Sequence, residues 1–400
     1  MERSYASVAA VVAVVALAVT AVVGAAAVES GSTGPAVANA AAANGTSDNQ
    51  SGAAGDGARA ATDAQTMAGV GACNFRRTYD RTIDSVVAIQ SSAGVGSGFV
   101  YRVSNDTSYV VTNAHVVGDS GVVGVNFAGG ESVTARVVGR DVYADLSVVR
   151  VNGTPDGVSA LPIARGPAEH GEYVAALGNP FGLEQTITHG IVSGTNRTLP
   201  TRLGFQIPNV VQTDAPISPG NSGGPLVTCN GTVVGVDTAG IEAQGAQNIG
   251  FAISASTVRE IVPALIRSGS YRHGFLGVSL APVTPALGDA LGENVSRGAY
   301  VVSVASGSPA ASTLQGASRY ERVNGTRVPV GGDVIVGVNG RPVDSPEDLT
   351  TYLFTNGHPG DTVTLTVVRD GQRGQVNVTL GRRPQPSATA TSPGPSQPGP

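Results

Sequence analysis

The chain has 400 residues, room for two or three domains, and its 41% hydrophobic content is enough to bury a sizeable core. Charged residues make up only 13%, while Gly numbers 55 and Pro 24, a balance that disfavours long charged helices and favours short β-strands joined by many turns. The net charge of −5 is modest, all 24 basic residues are Arg, and no basic cluster marks a nucleic-acid surface.

Residues 8–27 are almost wholly apolar and follow Arg3. The run reads as a secretory signal or a signal anchor: it is just long enough to span a bilayer, and Ala25-Ala26-Ala27 offers a small-residue cleavage site. Export is expected on either reading, and cleavage and membrane anchoring both stay open for residues 1–27. Residues 28–72 are Ala, Gly, Ser, Thr and Asn with few large apolar groups, a composition that cannot offset its ordering entropy and is expected to form a disordered linker. An exported chain permits a disulfide between Cys73 and Cys229; two free thiols fit the sequence equally well. Asn-x-Ser/Thr sequons at Asn44, Asn49, Asn105, Asn152, Asn196, Asn230, Asn294, Asn324 and Asn377 fit an exported chain whose loops accept glycans.

A first domain is expected over 73–268. Short Val-rich strands are predicted at 85–90, 99–103, 108–112, 121–127, 132–138, 146–151, 173–177, 186–193 and 209–213, then at 226–228, 232–237 and 249–253, with a Gly-rich turn at 94–98. Such strands, punctuated by Gly, Pro and Asn, imply a β-sandwich or barrel. Val258, Ile261, Val262, Leu265 and Ile266 fall at helical spacing over 256–267, although Pro263 opposes that helix. A second domain over 269–383 has strands at 275–280, 299–304, 334–338, 362–369 and 375–380. Its helix begins near Pro346, with Ser345 placed to cap it. Residues 384–400 are Pro/Ser/Thr/Gly-rich and read as a disordered tail.

Three places in the first domain carry the chemistry. In Gly220-Asn221-Ser222-Gly223-Gly224, a serine sits among glycines that let the backbone bend and approach a ligand. That arrangement suits a nucleophile beside converging N–H donors, here the backbone groups of Gly220, Asn221 and Ser222. His115 follows a strand, and Asp145 heads the apolar run 146–149. Each is ordinary alone, but the order His, Asp, Ser within one β-domain is that of chymotrypsin-type proteases. His115 would act as general base, Asp145 as its orienting acid and Ser222 as nucleophile. The positions before Ser222 place Pro216 and no acid where a basic P1 side chain would be read, so an apolar P1 is expected. His189 reads as an incidental loop residue.

The stretches Gly96-Ser97-Gly98-Phe99, Thr112 to Val117, Asp145 to Val148, Leu177 to Gly182, Gly190 to Gly194, Gln212 to Ala215, Gly220 to Leu226 and Ile249 to Ile253 resemble, in order, the HtrA/Deg family of exported serine proteases. The resemblance covers about residues 80–268 and implies a mostly β fold, a trypsin-like double β-barrel with its site between the barrels. Residues 269–383 resemble the PDZ module that follows in that family. The module implies peptide C-termini adding to a strand beside Phe275, Leu276, Gly277 and Val278, with a side-chain pocket against Leu349, Tyr352 and Leu353. Residues 315–330 resemble a hairpin insertion. The family implies an endopeptidase of protein quality control acting on unfolded or damaged proteins, and a homotrimer formed near Phe75 and Tyr79. No cofactor is implied, because the triad needs none, and no phosphate-binding Gly-Lys loop is present, so the activity is read as ATP-independent. A PDZ-bearing chaperone or adaptor with weak or regulated proteolysis is the alternative.

Overall fold

The computed structural model describes residues 73–179, 185–201, 205–240, 249–292 and 295–384. The expected leader at 1–27, the linker at 28–72 and all but the first residue of the tail lie outside the described residues. Among the described residues, no helix is long and apolar enough to cross a membrane.

Helix α1 (Phe75–Thr82), absent from the sequence reading, opens the fold; Asn74 caps it, its Oδ1 accepting the Arg77 N–H at 3.0 Å. Six antiparallel strands follow: β1 (Val86–Ser91), β2 (Gly94–Ser104), β3 (Thr107–Thr112), β4 (Val122–Phe127), β5 (Ser132–Asp141) and β6 (Leu146–Asn152). They close into a barrel in the order β1-β2-β3-β6-β5-β4. A second barrel closes in the order β10-β11-β12-β9-β8-β7, from β7 (Tyr173–Gly178), β8 (Thr186–Pro200), β9 (Gln206–Thr213), β10 (Pro225–Thr228), β11 (Val233–Gly240) and β12 (Gly250–Ser254). Closure leaves neither sheet an open edge.

Strands β1, β6, β7, β10 and β12 are buried on both faces along most of their length, which is why they read as apolar runs, whereas β4 alternates between buried and more exposed residues. Val87, Ile89, Val100, Val110, Val125 and Val149 fill the first barrel. Val86, Phe99, Val111 and Val148 point the other way and join Leu177, Val227 and Ile253 of the second barrel in one shared core. Helix α3 (Ala255–Ser268) closes that seam, and Val258, Ile261, Val262 and Leu265 on it are fully buried. It forms despite Pro263 because this apolar stripe is buried and both ends are capped, by Ser254 and by Gly269 at φ 75°. The run 94–98, read as a turn, belongs to β2. Gly96 and Gly98 are there for packing: a Cβ at Gly96 would press on Val116 and the Ser222 carbonyl, and one at Gly98 on Val110 and Ile89.

The chain then enters a sheet of β14 (Val278–Pro282), β15 (Ala299–Val304), β18 (Val334–Val338), β20 (Thr362–Arg369) and β21 (Gln372–Thr379), in that order, with β14 at its edge and the short β19 (Arg341–Pro342) paired to β18. The strand expected over 275–280 is broken by Gly277 at φ 83°; Phe275 lies instead in β13 (Gly274–Phe275), which pairs with β22 (Gly381–Arg382) in a separate two-stranded piece. Strands β16 (Arg319–Val323) and β17 (Thr326–Val330) make the hairpin expected within 315–330. Helix α4 (Pro285–Leu291) is a short element that the sequence reading missed. Helix α5 (Pro346–Asn356) starts as expected, with Ser345 Oγ accepting the Asp348 N–H at 3.2 Å.

Helix α5 also packs on the second barrel. Phe354 is buried with the shared barrel core, and Asn196 of β8 donates from Nδ2 to Asp348 (2.7 Å) while its Oδ1 accepts from Thr351 Oγ1 (2.6 Å). Cys73 and Cys229 are joined in a disulfide with Cα atoms 5.3 Å apart, which resolves the alternative left open by the sequence. Phe75 stacks on His189 at 4.3 Å, and the Tyr79 hydroxyl donates to Gln185 at 2.8 Å. His189 is therefore a strand residue of β8 packed on an aromatic ring, not a loop residue.

Candidate active site

His115 sits on α2 (Ala114–Val117), a single helical turn entered directly from β3. Asp145 stands just before β6 with φ 51°, a left-handed conformation that an aspartate tolerates better than most residues. Two sets of bonds fix it there. Its carbonyl accepts the Ala114 N–H at 3.1 Å and Asn113 Nδ2 at 3.0 Å. Asp141 steadies the preceding turn, its Oδ1 accepting the N–H groups of Tyr143 (2.9 Å) and Ala144 (3.1 Å).

The Asp145 carboxylate then grips the imidazole from two sides. Oδ1 accepts the backbone N–H of His115 at 3.0 Å, and Oδ2 lies 2.8 Å from Nδ1. A carboxylate accepts, so Nδ1 carries the proton and Nε2 presents a lone pair. Burial alone would lower the His115 pKa, but the hydrogen bond and charge of Asp145 together outweigh it and hold the imidazole above its ordinary 6.5. Thr238 at the end of β11 donates from Oγ1 to Asp145 Oδ2 at 2.8 Å. No sequence signal marked this residue, because a threonine ending a strand is unremarkable until the carboxylate beside it is seen.

The Gly220–Gly224 loop comes from the other barrel. The Gly223 N–H donates to the Asp237 carbonyl at 2.7 Å, and Asp237 N–H donates to the Gly224 carbonyl at 2.8 Å, so β11 braces the exit of the loop. Gly223 has φ 88°, and a Cβ there would collide with the Ser97 carbonyl and Thr112 Oγ1. The Asn221 N–H donates back to the Ser218 carbonyl at 3.0 Å, and its side chain accepts from Thr186 Oγ1 at 3.1 Å. Asn221 is thus removed from the expected set of anion donors: its N–H is spent within the loop. The N–H groups of Gly220 and Ser222 have no acceptor among the described residues.

His115 and Asp145 are brought together, but Ser222 is not bonded to His115. Its Oγ donates instead to the Thr238 carbonyl at 2.6 Å. Thr238 therefore touches two of the three candidate residues, holding the acid with its hydroxyl and the serine with its carbonyl.

On the second domain, Leu276 and Leu349 are 4% and 0% exposed and belong to the core, which corrects their expected place at a peptide pocket. Phe275, Val278, Tyr352 and Leu353 keep partial exposure. The Tyr352 hydroxyl accepts from Asn339 Nδ2 at 3.0 Å. The N–H groups of Leu276 and Gly277 have no acceptor among the described residues, and they lead directly into the edge strand β14.

Two closed six-stranded barrels with an imidazole–carboxylate pair facing a glycine-serine loop define a protein of the trypsin-like peptidase class. Comparison with known proteins agrees. Residues 96–236 match the trypsin-like peptidase domain, and residues 274–380 match the PDZ domain. The chain is 34% identical over 305 residues to "Serine protease Do-like HtrB" of Bacillus subtilis, covering 73% of this chain and 63% of that protein. It is 33% identical over 305 residues to "Periplasmic serine endoprotease DegP" of Escherichia coli, covering 76% and 60%. The matched region thus spans somewhat less than two thirds of these relatives. Among solved structures, the HtrA-type protease AlgW with a tripeptide superposes with a TM-score of 0.63 at 30% identity, covering 78% of this chain and 98% of that one. The chain belongs to the HtrA/Deg family of serine proteases.

Proposed function

We propose that the chain is an exported, ATP-independent serine endopeptidase of protein quality control that cleaves unfolded or damaged proteins. The observation that carries this reading is the His115–Asp145 pair at 2.8 Å facing a loop on which the N–H groups of Gly220 and Ser222 are uncommitted. Ser222 Oγ would leave the Thr238 carbonyl and turn to His115 Nε2. As Oγ bonds to the scissile carbonyl carbon, its proton passes to Nε2, and the carbonyl oxygen becomes an oxyanion met by the Gly220 and Ser222 N–H groups. Collapse expels the amine, which takes the proton from Nε2. A water then repeats the sequence on the acyl-enzyme and frees Ser222. Asp145 stays ionised throughout and stabilises the imidazolium.

The second domain is read as a PDZ module that takes peptide C-termini or extended peptides by strand addition to β14. The uncommitted N–H groups of Leu276 and Gly277 would receive the carboxylate. We place the protease domain at 73–268 and the PDZ domain at 269–383. Residues 1–27 serve for export or anchoring, at the extracytoplasmic membrane face or in the secreted protein. Assembly as a homotrimer is part of the reading, and sedimentation as a monomer would overturn that part. One observation favours the alternative, a PDZ chaperone or adaptor with regulated proteolysis: the Ser222 hydroxyl is parked on Thr238 rather than aligned with His115. A fluorophosphonate probe and mass spectrometry separate the two. The protease reading expects one adduct, on Ser222, at a rate that rises when a PDZ-binding peptide is added if the site is regulated. No adduct under either condition would overturn it. With Pro216, and no acid, at the position that would read a basic P1 side chain, new C-termini in digests should be apolar, and a profile dominated by Arg or Lys would contradict this.

A further inference from the structure

The nucleophile loop is held largely by a residue of the opposite barrel. Ser97 on β2 is fully buried and makes four bonds. Its N–H donates to the Ser222 carbonyl at 2.8 Å, its Oγ donates to the Gly220 carbonyl at 2.5 Å, its Oγ accepts the Asn179 N–H at 2.9 Å, and its carbonyl accepts Thr112 Oγ1 at 2.6 Å. Because Asn179 donates to the hydroxyl oxygen, the hydroxyl proton has one direction left, toward Gly220.

Each peptide plane of the loop can be followed in turn. Plane 220–221 is tied at both ends, its oxygen to Ser97 Oγ and its N–H to the Ser218 carbonyl. Plane 221–222 is tied through the Asn221 carbonyl, which accepts the Gly224 N–H at 2.8 Å. Plane 222–223 is tied at both ends, to Ser97 N–H and the Asp237 carbonyl. Plane 219–220, which carries the Gly220 N–H, has no tie of its own among the described residues. Its orientation is inherited from plane 220–221, and Gly220 at φ 102° offers little steric resistance to rotation. The Ser97 hydroxyl is the side-chain bond that fixes plane 220–221.

We infer that Ser97 is a positioning residue for the anion-binding site: through Gly220 it keeps that residue's N–H directed at the oxygen that becomes charged. The inference rests on the protease reading above. It acts on the charged intermediate and not on the bound ground state, so its loss lowers kcat and leaves KM in place.

Ser97→Ala removes the hydroxyl and keeps the backbone bond to Ser222. The expected result is a kcat about 10- to 100-fold lower, somewhat less than removal of an anion donor itself, with KM for a peptide substrate unchanged within about threefold. Affinity for a tetrahedral peptide boronate should fall in parallel with kcat, while that for the matching peptide amide stays level. Ser97→Cys, with similar volume and a weaker donor, should fall between wild type and Ser97→Ala. Should Ser97→Ala not show a cooperative unfolding transition, Ser97→Cys alone decides, by the same split between kcat and KM. Unchanged kcat in a folded variant, or a rise in KM at constant kcat, overturns the inference. Ser222→Ala run in parallel separates the two levels: if it stays active, the protease reading fails; if it is dead while Ser97→Ala is unimpaired, only the role of Ser97 fails.

Discussion

His115 takes its character from one neighbour. Asp145 fixes its tautomer and orientation, which suit a general base, and moves its pKa upward, which strengthens the base but moves its loss by protonation to higher pH. A protonated imidazole cannot accept the serine proton, so kcat/KM should fall as pH drops through a value above the ordinary 6.5. In Asp145→Asn this acid limb should move down, because the charge that raised the pKa is gone, and the rate should fall about 10⁴-fold as the tautomer lock is lost. A pH–rate profile of both proteins checks the two effects together. Asp237 titrates for a different reason. Its carboxyl is fully buried with neither oxygen bonded among the described residues, and burial raises its pKa well above the usual carboxylate range. Between the ordinary carboxylate pKa and this raised value, the folded state holds a proton that the unfolded state has released, so stability declines as pH rises across that window. Asp237→Asn should remove the decline and be more stable than wild type at neutral pH, the gap closing near pH ~4, as denaturant titrations at several pH values would show. The triad candidates were legible in the sequence because nucleophilic chemistry needs particular residue types in order. Thr238 and Ser97 were not, since their importance lies in which carbonyl or carboxylate they meet across the fold.

Among the elements, the strands of both barrels could be read from Val-rich runs, and α3 from its apolar spacing. The boundaries could not. Within the run 94–98 that reads as a turn, Gly96 instead lets β2 lie close against α2 and the serine loop. Helix α1 escaped notice because its sequence, FRRTYDRT, is mostly polar; an asparagine cap, the neighbouring disulfide and the packing of just two aromatic residues, Phe75 and Tyr79, hold it in place. The contact of β8 with α5 was equally hidden: Asn196 reads as a glycosylation sequon, yet its amide is committed on both sides to α5. Asn196→Asp would place a second carboxylate against Asp348 and remove the donor, at a cost of about 1–3 kcal/mol to that contact. Limited proteolysis of the full chain should then cut faster in the connection at 268–274. An unchanged cleavage rate would mean that Phe354 and the surrounding packing hold the helix without Asn196.

Across the whole molecule, the disulfide ties the segment ahead of α1 to the turn between β10 and β11, 156 residues apart in sequence. Closing a loop of that length in the unfolded chain corresponds to about 5 kcal/mol in the loop-entropy model, and measured values for disulfides run at about 2–4 kcal/mol. Reduction should therefore lower the midpoint of thermal unfolding by several degrees or more, and an unchanged midpoint would show that α1 contributes little to the cooperative unit. The two barrels share one core, with the imidazole and acid on the first and the serine loop on the second, so the site exists only when both are folded and docked. The proposed function requires that this juxtaposition hydrolyse unfolded protein. Digestion of casein by the full chain and by Ser222→Ala, each checked for a native unfolding transition, tests it most directly. Wild type should fragment casein without ATP and the variant should lose about 10⁶-fold in rate. Equal digestion by the two proteins would overturn the proposed function.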